Sequence, residues 1–266
     1  MGIHPYEYSD DRLCRTIPVC EACRRFFSCI FTSQYIGSMR LLYKIFRWMV
    51  GLFFVTSVAA VLVYKWCPVP FTPLMFIRCA QQVKAGEAPR LKHRWVPLSE
   101  MSRYMPVAVI ASEDQRFLYH NGFDTEAISD ALKERAQGKR RRGASTISQQ
   151  TAKNVFLWPE SSWLRKGFEV YFTFLIESLW SKQRIMEVYL NSIEMGDGIY
   201  GVEAVAQQHF SCPASELTRS ECALIAATLP NPLRYSSLRP GPYMRKRQSW
   251  IKKQMIHVPL LEAEEK

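Results

Sequence analysis

The sequence predicts an all-α chain in which one membrane-spanning helix precedes a single helical domain. Three observations carry that prediction. After residue 98 apolar residues recur at spacings of three and four, no run sustains two-residue alternation, and the 17 residues Trp48–Tyr64 carry no charge. Composition agrees: of 266 residues 48% are hydrophobic and 22% charged, with 12 Gly and 15 Pro, which excludes disordered and collagen-like classes. A chain of this length can bury one full core with a small appendage, and it shows no internal repeat.

The apolar stretch comes first. As a helix it spans roughly 25 Å at about 1.5 Å per residue, and Ile45 and Phe46 extend it by a turn. Arg47 and Lys65 can snorkel, while Trp48, Tyr64 and Trp66 suit the two interfaces. A cleaved signal peptide is the alternative, but no A-x-A site follows Ala59-Ala60. Arg40, Lys44 and Arg47, with Arg24 and Arg25 behind them, outweigh Lys65 and Arg78 on the other flank. By the positive-inside rule the amino terminus is cytoplasmic and the 200 residues after Trp66 face outward.

The net charge of +11 points to a polyanionic partner: nucleic acid, an anionic membrane surface or a phosphorylated substrate. Residues 1–66 hold 8 basic and 4 acidic side chains, so the excess is not a basic tail, and an outward-facing domain leaves no role for nucleic acid. The densest run, Lys139-Arg140-Arg141-Arg142, reads as a solvated loop. Residues 1–38 hold Cys14, Cys20, Cys23 and Cys29 at a spacing that matches no zinc site well, and are expected to be a dispensable extension. Residues 39–66 then form the basic flank and anchor. Cys67, Cys79, Cys212 and Cys222 lie where disulfides are permitted, and the sequence does not pair them.

Residues 67–98, interrupted by Pro68, Pro70, Pro73, Pro89 and Pro97, read as a stalk, after which Ser99 caps the first helix of a domain over 99–257, with a tail over 258–266. Helices are expected at 99–112, 125–137, 145–156, 162–180, 182–192, 201–210, 218–228 and 242–256, from apolar spacing and from stops such as Gly138 and Pro230.

Chemistry concentrates in three places. Glu113 and Asp114 end the apolar helix VAVIAS, where partial desolvation disfavours a charged carboxylate and suits it to general-base work near neutral pH; simple backbone capping is the alternative. Gly143-Ala144-Ser145-Thr146 turns into a helix bearing Gln150 and Lys153, a start able to bind phosphate or merely to cover a surface. Arg165 and Glu169 share a face of the next helix, as a salt bridge would, and Glu177 continues the stripe as a structural residue.

In order, E-D-x-x-F-x-x-H-x-G-x-D at Glu113, G-x-S-T-x-x-Q-Q-x-x-K-N at Gly143, R-K-x-x-E at Arg165, the run Lys182–Asn191 and the run Glu221–Pro230 resemble the five motifs of the peptidoglycan glycosyltransferases of family 51. The likeness covers about residues 95–250, and GASTISQQTAKN and GDGIYGVEAVAQQHF resemble the monofunctional branch of Gram-negative bacteria. The resemblance implies a lysozyme-like α-helical fold in the bacterial inner membrane, with the catalytic domain periplasmic. It implies an inverting enzyme that polymerises lipid II into glycan strands and releases undecaprenyl pyrophosphate. Glu113 then matches the base that deprotonates the acceptor 4-hydroxyl, and Glu169 the second carboxylate near the donor pyrophosphate. Lys153, Arg165 and Lys166 match its cationic surroundings, Ser145, Thr146 and Gln150 match substrate-contacting positions, and Asp114, Phe117 and His120 match positions around the first motif. No cofactor is implied as obligatory, and a divalent cation, Mg2+ or Mn2+, at Glu169 is left open. The implied partners are lipid II, the growing strand and the membrane, with penicillin-binding or division proteins as candidates.

Two departures stand out: Ser161 where members often carry Arg, a donor-phosphate contact that Arg165 or the 139–142 loop would have to replace, and Ala144 where many carry Gly. Gly196–Gly201 fits G-x-G-x-x-G, but its preceding segment reads as helix where a dinucleotide site needs a strand. Ser249-Trp250-Ile251-Lys252 fits S-x-x-K, yet 14 residues after Lys252 leave no room for a transpeptidase domain. The rival readings are a lytic transglycosylase or muramidase, and a catalytically silent division scaffold.

Overall fold

The computed structural model describes residues 21–138 and 143–261, with side chains described from Met39 onward. Cys14, Cys20, the side chains of Cys23 and Cys29, the Lys139–Arg142 run and residues 262–266 lie outside the described residues. The chain divides into two compact units, residues 1–57 and 58–266.

The first unit holds most of helix α1 (Glu21–Tyr64), which begins well before Met39, and whose stretch Met39–Tyr64 is long and apolar enough to cross a membrane. Leu41, Phe46, Trp48, Leu52 and Val55 are exposed along it, as a lipid-facing helix requires. Thr56 Oγ1 donates to the Leu52 carbonyl at 2.8 Å, so its hydroxyl is satisfied inside the helix rather than by solvent.

The second unit starts inside α1. Val61 is fully buried, Trp180 Nε1 donates to the Val61 carbonyl at 2.8 Å, and Arg184 donates to the carbonyls of Tyr64 and Cys67. A guanidinium thus satisfies the carbonyls that the end of a helix leaves unpaired. The segment expected to be a Pro-rich stalk also differs from a linker, because it holds α2 (Pro73–Lys84), with Leu74, Met75 and Gln82 buried. Pro73 occupies the first helical turn, where its missing N–H costs nothing, so a residue read as an interruption is a helix start.

Ser99 does not cap a helix. It lies in a 3-10 turn, Leu98–Glu100, Met101 is extended, and α3 runs Tyr104–Glu113 with every side chain from Met105 to Ala111 buried. Then follow α4 (Thr125–Ala136), α5 (Ile147–Phe156), α6 (Trp163–Leu179), α7 (Lys182–Ser192), α8 (Val202–Phe210), α9 (Arg219–Ala226) and α10 (Pro242–Gln254), within a few residues of the expected spans. Asp124, Thr146, Ser162, Ser181 and Thr218 cap five of them through their side chains. At α5 the cap is Thr146, in a reciprocal pair with Gln149, and not Ser145. Helix α7 is central, with Ile185, Met186, Val188, Tyr189 and Leu190 fully buried.

The strand content is a small sheet, β1 (Lys92–His93), β2 (Glu194–Gly196) and β3 (Ile199–Tyr200), in the order β1-β3-β2 with β1 parallel and β2 antiparallel to β3. The segment read as helical before the glycine run is α7 as far as Ser192, and only the short strand β2 from Glu194 to Gly196 follows it. The glycine run is the β2–β3 hairpin. Gly198 has φ +69°, and a Cβ there would lie 2.4 Å from the Arg90 carbonyl oxygen; at Gly201, φ +81°, it would lie 2.7 Å from that of Asn191. These glycines serve a turn and two close approaches, not a phosphate. Ser249 donates to the Arg245 carbonyl on exposed α10, a local helix contact. Among the described residues Cys67, Cys79, Cys212 and Cys222 form no disulfide, and burial pushes the Cys222 thiol up to about 12.

Candidate active site

Glu113 closes α3, and its carboxylate is held from three elements. Ser112 Oγ donates to Oε1 at 2.9 Å, Gln150 Nε2 of α5 donates to Oε2 at 3.4 Å, and Arg247 Nη2 of α10 lies 3.6 Å from Oε1. The side chain is 14% exposed. Burial is the largest influence on its pKa and raises it above the ordinary carboxylate value, while Ser112, Arg247 and Gln150 pull it back and Asp114 adds to the rise. The amide of Gln150 is oriented by Tyr189, whose hydroxyl donates to Oε1 at 3.1 Å. Tyr189 is fully buried and its pKa stands well above the usual value for that reason, which keeps it a donor.

Asp114, Phe117 and His120 point inward. Asp114 accepts from the Ile147 backbone N–H at 3.0 Å, one of the free donors at the start of α5, and from His120 Nε2 at 3.0 Å. Thr146 Oγ1 donates to the Gly122 carbonyl at 2.7 Å, and Gly122, at φ +85°, leaves no space for a Cβ, which would meet Thr173 at 2.8 Å. Phe117 is fully buried, with Lys182 Nζ 4.6 Å from its ring centroid. The same ammonium donates to the His120 carbonyl and to Glu177, which also hydrogen-bonds Ser148. These side chains, Thr146 included, fasten the first motif to the second. The resemblance placed Thr146 among substrate contacts because motif position does not reveal which way a side chain points, and placed Asp114, Phe117 and His120 in support of the first motif. Ser145, by contrast, is exposed at the rim.

A second cluster lies on α6. Glu169, buried, pairs with Arg165 Nη1 at 2.6 Å and with Lys166 Nζ. Lys153 of α5 feels the same group: burial lowers its pKa most, Glu169 opposes that, and Arg165 and Lys166 lower it further. One carboxylate among three cations leaves net positive charge, and Arg165 Nε is buried with no acceptor among the described residues. The Arg165–Glu169 pairing is thus real but is not the whole of the cluster. Both Glu169 oxygens are taken by cations, so this carboxylate does not fit the divalent cation left open above. No group of three or more metal-ligating side chains occurs among the described residues.

Helix α5 joins the two clusters. Gln150 and Lys153, three residues apart, share a face about 4.5 Å apart along the axis, one meeting Glu113 and the other within the field of Glu169. That face lines a cleft of about 310 Å³ that Arg78 of α2, Glu194 and Asn231 line as well. Burial raises the Glu194 pKa against the pull of Arg78, 3.3 Å away. Sequence reasoning singled out neither Arg247, Arg78 nor Tyr189. Tyr189 lay within a motif already noted; Arg247 and Arg78 carried no local signal, because what makes them relevant is a partner more than a hundred residues away. Ser161 is exposed ahead of α6, and the 139–142 loop named as one replacement for the usual Arg lies outside the described residues.

Residues 81–256 match the family described as Transglycosylase. The chain is 59% identical over 214 residues to the biosynthetic peptidoglycan transglycosylase of Bacteroides thetaiotaomicron, covering 80% of this chain and 86% of that protein. It is 53% identical over 208 residues to the protein of the same name from Bdellovibrio bacteriovorus, covering 77% and 83%. Against that of Pseudomonas aeruginosa the identity is 48% over 216 residues, covering 81% and 91%.

Proposed function

The chain belongs to the transglycosylase family, as a glycosyltransferase of peptidoglycan synthesis with a lysozyme-like domain, and from that premise we propose that it polymerises lipid II into β-1,4-linked glycan strands, releasing undecaprenyl pyrophosphate, without transpeptidase activity. The observation that carries the proposal is the pairing, across one face of α5, of a buried, hydrogen-bonded Glu113 with a cationic cluster around Glu169. Glu113 accepts the proton of the acceptor 4-hydroxyl as that oxygen bonds to the donor's anomeric carbon. The carbon–oxygen bond to the pyrophosphate breaks on the opposite face, which inverts the centre. The charge that develops on the leaving pyrophosphate is met by Lys153, Arg165 and Lys166, with Glu169 holding the last two in place. Ser145 and Gln150 contact substrate at the rim and in the cleft, and Asp114, Phe117, His120 and Thr146 position the motifs.

The proposed setting is the inner membrane, with α1 as a single-pass anchor, the amino terminus cytoplasmic and the enzyme domain periplasmic. Residues 1–38 are dispensable in this reading. Incubating the purified full chain in detergent with labelled lipid II tests the activity: polymer is expected. Shortening of preformed strands without new polymer would indicate a muramidase, and inertness on both would indicate a scaffold.

As sequence, the apolar residues Phe156-Leu157-Trp158 and Trp163 suit either a lip entering the bilayer or ordinary core packing. The first three belong to packing: Phe156 stacks on Phe172 at 4.5 Å, Leu157 is buried and Trp158 lies edge-on to Phe168. Trp163 is 94% exposed, and Leu164 and Phe174 are exposed with it on α6. We place the membrane contact there, since a polyprenyl donor has to be drawn from lipid. A chain beginning at Val58, which keeps the end of α1 with its buried Val61, is expected to sediment with anionic liposomes, and Trp163→Ser with Leu164→Ser to lose most of that binding. Equal sedimentation of both would remove the lip.

A further inference from the structure

Arg247 is the one cation whose side chain lies within 4 Å of the Glu113 carboxylate among the described residues. It arrives from α10, whose Met244, Ile251 and Met255 are buried and which is tied to α9 by Gln248 Nε2 donating to the Ser220 carbonyl at 2.7 Å. Its Nη2 also donates to Ser112 Oγ at 3.1 Å, and the same hydroxyl donates to Glu113 Oε1. Its guanidinium lies 5.9 Å from the Trp250 ring centroid. Its Nε is buried with no acceptor among the described residues, which costs stability.

We propose that Arg247 is a positioning residue for the base: with Ser112 as the shared contact, it orients Oε1 of Glu113 and keeps that carboxylate ionised in a site that buries it. The proposal rests on Glu113 being the base. The groups facing the carboxylate account for the need. Asp114 on its own helix and Tyr189 on α7 offer no positive charge, Gln150 on α5 is neutral, and α9 presents the Ala226 carbonyl to Ser112. Without Arg247 nothing cationic among these opposes the burial that already raises the Glu113 pKa.

The test is the pH profile of kcat/KM for lipid II polymerisation, which reports ionisations of the free enzyme. Removing the positive charge makes ionisation of Glu113 harder, so the acid limb moves to higher pH. For Arg247→Gln and Arg247→Met the limb is expected about one pH unit above wild type, as loss of an adjacent opposite charge gives. Activity then falls about tenfold on the acid side and recovers on the alkaline plateau. Arg247→Lys, which keeps the charge, is expected to leave the limb within a few tenths of a pH unit. Thermal melting of each variant in detergent establishes that it is folded, and either folded neutral variant suffices for the shift. A uniform loss at every pH with an unmoved limb, or a Lys variant as impaired as the neutral ones, overturns the proposal. Full activity of Glu113→Gln would instead overturn the base assignment beneath it, so the two failures are distinguishable.

Discussion

Glu113→Gln is expected to lower the rate of glycan polymerisation by about 10²- to 10⁴-fold, the range that loss of a positioned general base produces, while leaving lipid II binding largely intact. The substitution keeps the shape of the side chain and one acceptor, which can still take the Ser112 hydroxyl, gives up the acceptor that meets Gln150, and removes the capacity to take a proton. Stability should move the other way. Because burial raises the folded-state pKa of Glu113, the group contributes stability at low pH that is lost as pH rises through its folded pKa, and at neutral pH its ionised form opposes folding. The Gln variant is therefore expected to melt no lower than wild type at pH 7, with any difference disappearing on acidification. Turnover of labelled lipid II and thermal melting across pH 5–8, run on the same preparations, check both halves. A variant that is fast, or one that is slow only because it is unfolded, would contradict the assignment.

The second large effect is expected at Lys153. Lys153→Met should reduce kcat by about 10²- to 10³-fold, the loss typical of removing one preorganised contact to a charge that forms in the transition state. Burial lowers the Lys153 pKa, so its charged form also opposes folding and the variant is not expected to be less stable. Arg165 and Lys166 remain paired with Glu169 after the change, which confines the loss to the face of α5 that meets the cleft. Inorganic pyrophosphate offers an independent readout: it should inhibit wild type more strongly than Lys153→Met. Equal inhibition of the two would remove Lys153 from the leaving-group site.

The burial of Glu113 and the pairing of Arg165 with Glu169 are legible in the sequence because their signals are local. Glu113 sits at the end of an unbroken apolar helix, and Arg165, Lys166 and Glu169 fall on one helical face, so spacing alone announces a buried carboxylate and an ion pair. The roles inside the first motif were less legible. Asp114, Phe117 and His120 look like site residues in a string of letters, and turn out to grip the start of α5 and to cover Lys182. Among the proline-rich residues 67–98, Pro73 begins a helix instead of breaking one, since proline at a helix start and proline in a linker differ only in what the following residues bury.

The amino-acid order by itself determined the helical class and the apolar span of α1, which follow from periodicity and from neighbours within a few positions, and the order of its motifs carried the resemblance that points to Glu113 and Glu169. Only the tertiary structure decided that Arg247 stands 3.6 Å from Glu113, that Tyr189 turns the Gln150 amide, that Arg184 and Trp180 take the last turn of α1 into the domain, and that Arg78 and Lys153 line one cleft. Each of these joins residues separated by tens to more than a hundred positions. Their proximity arises from helix packing, of α3 and α10 against α9 and of α2, α6 and α7 against α5, which selects an arrangement by total burial and leaves no mark on the short stretches of sequence that meet.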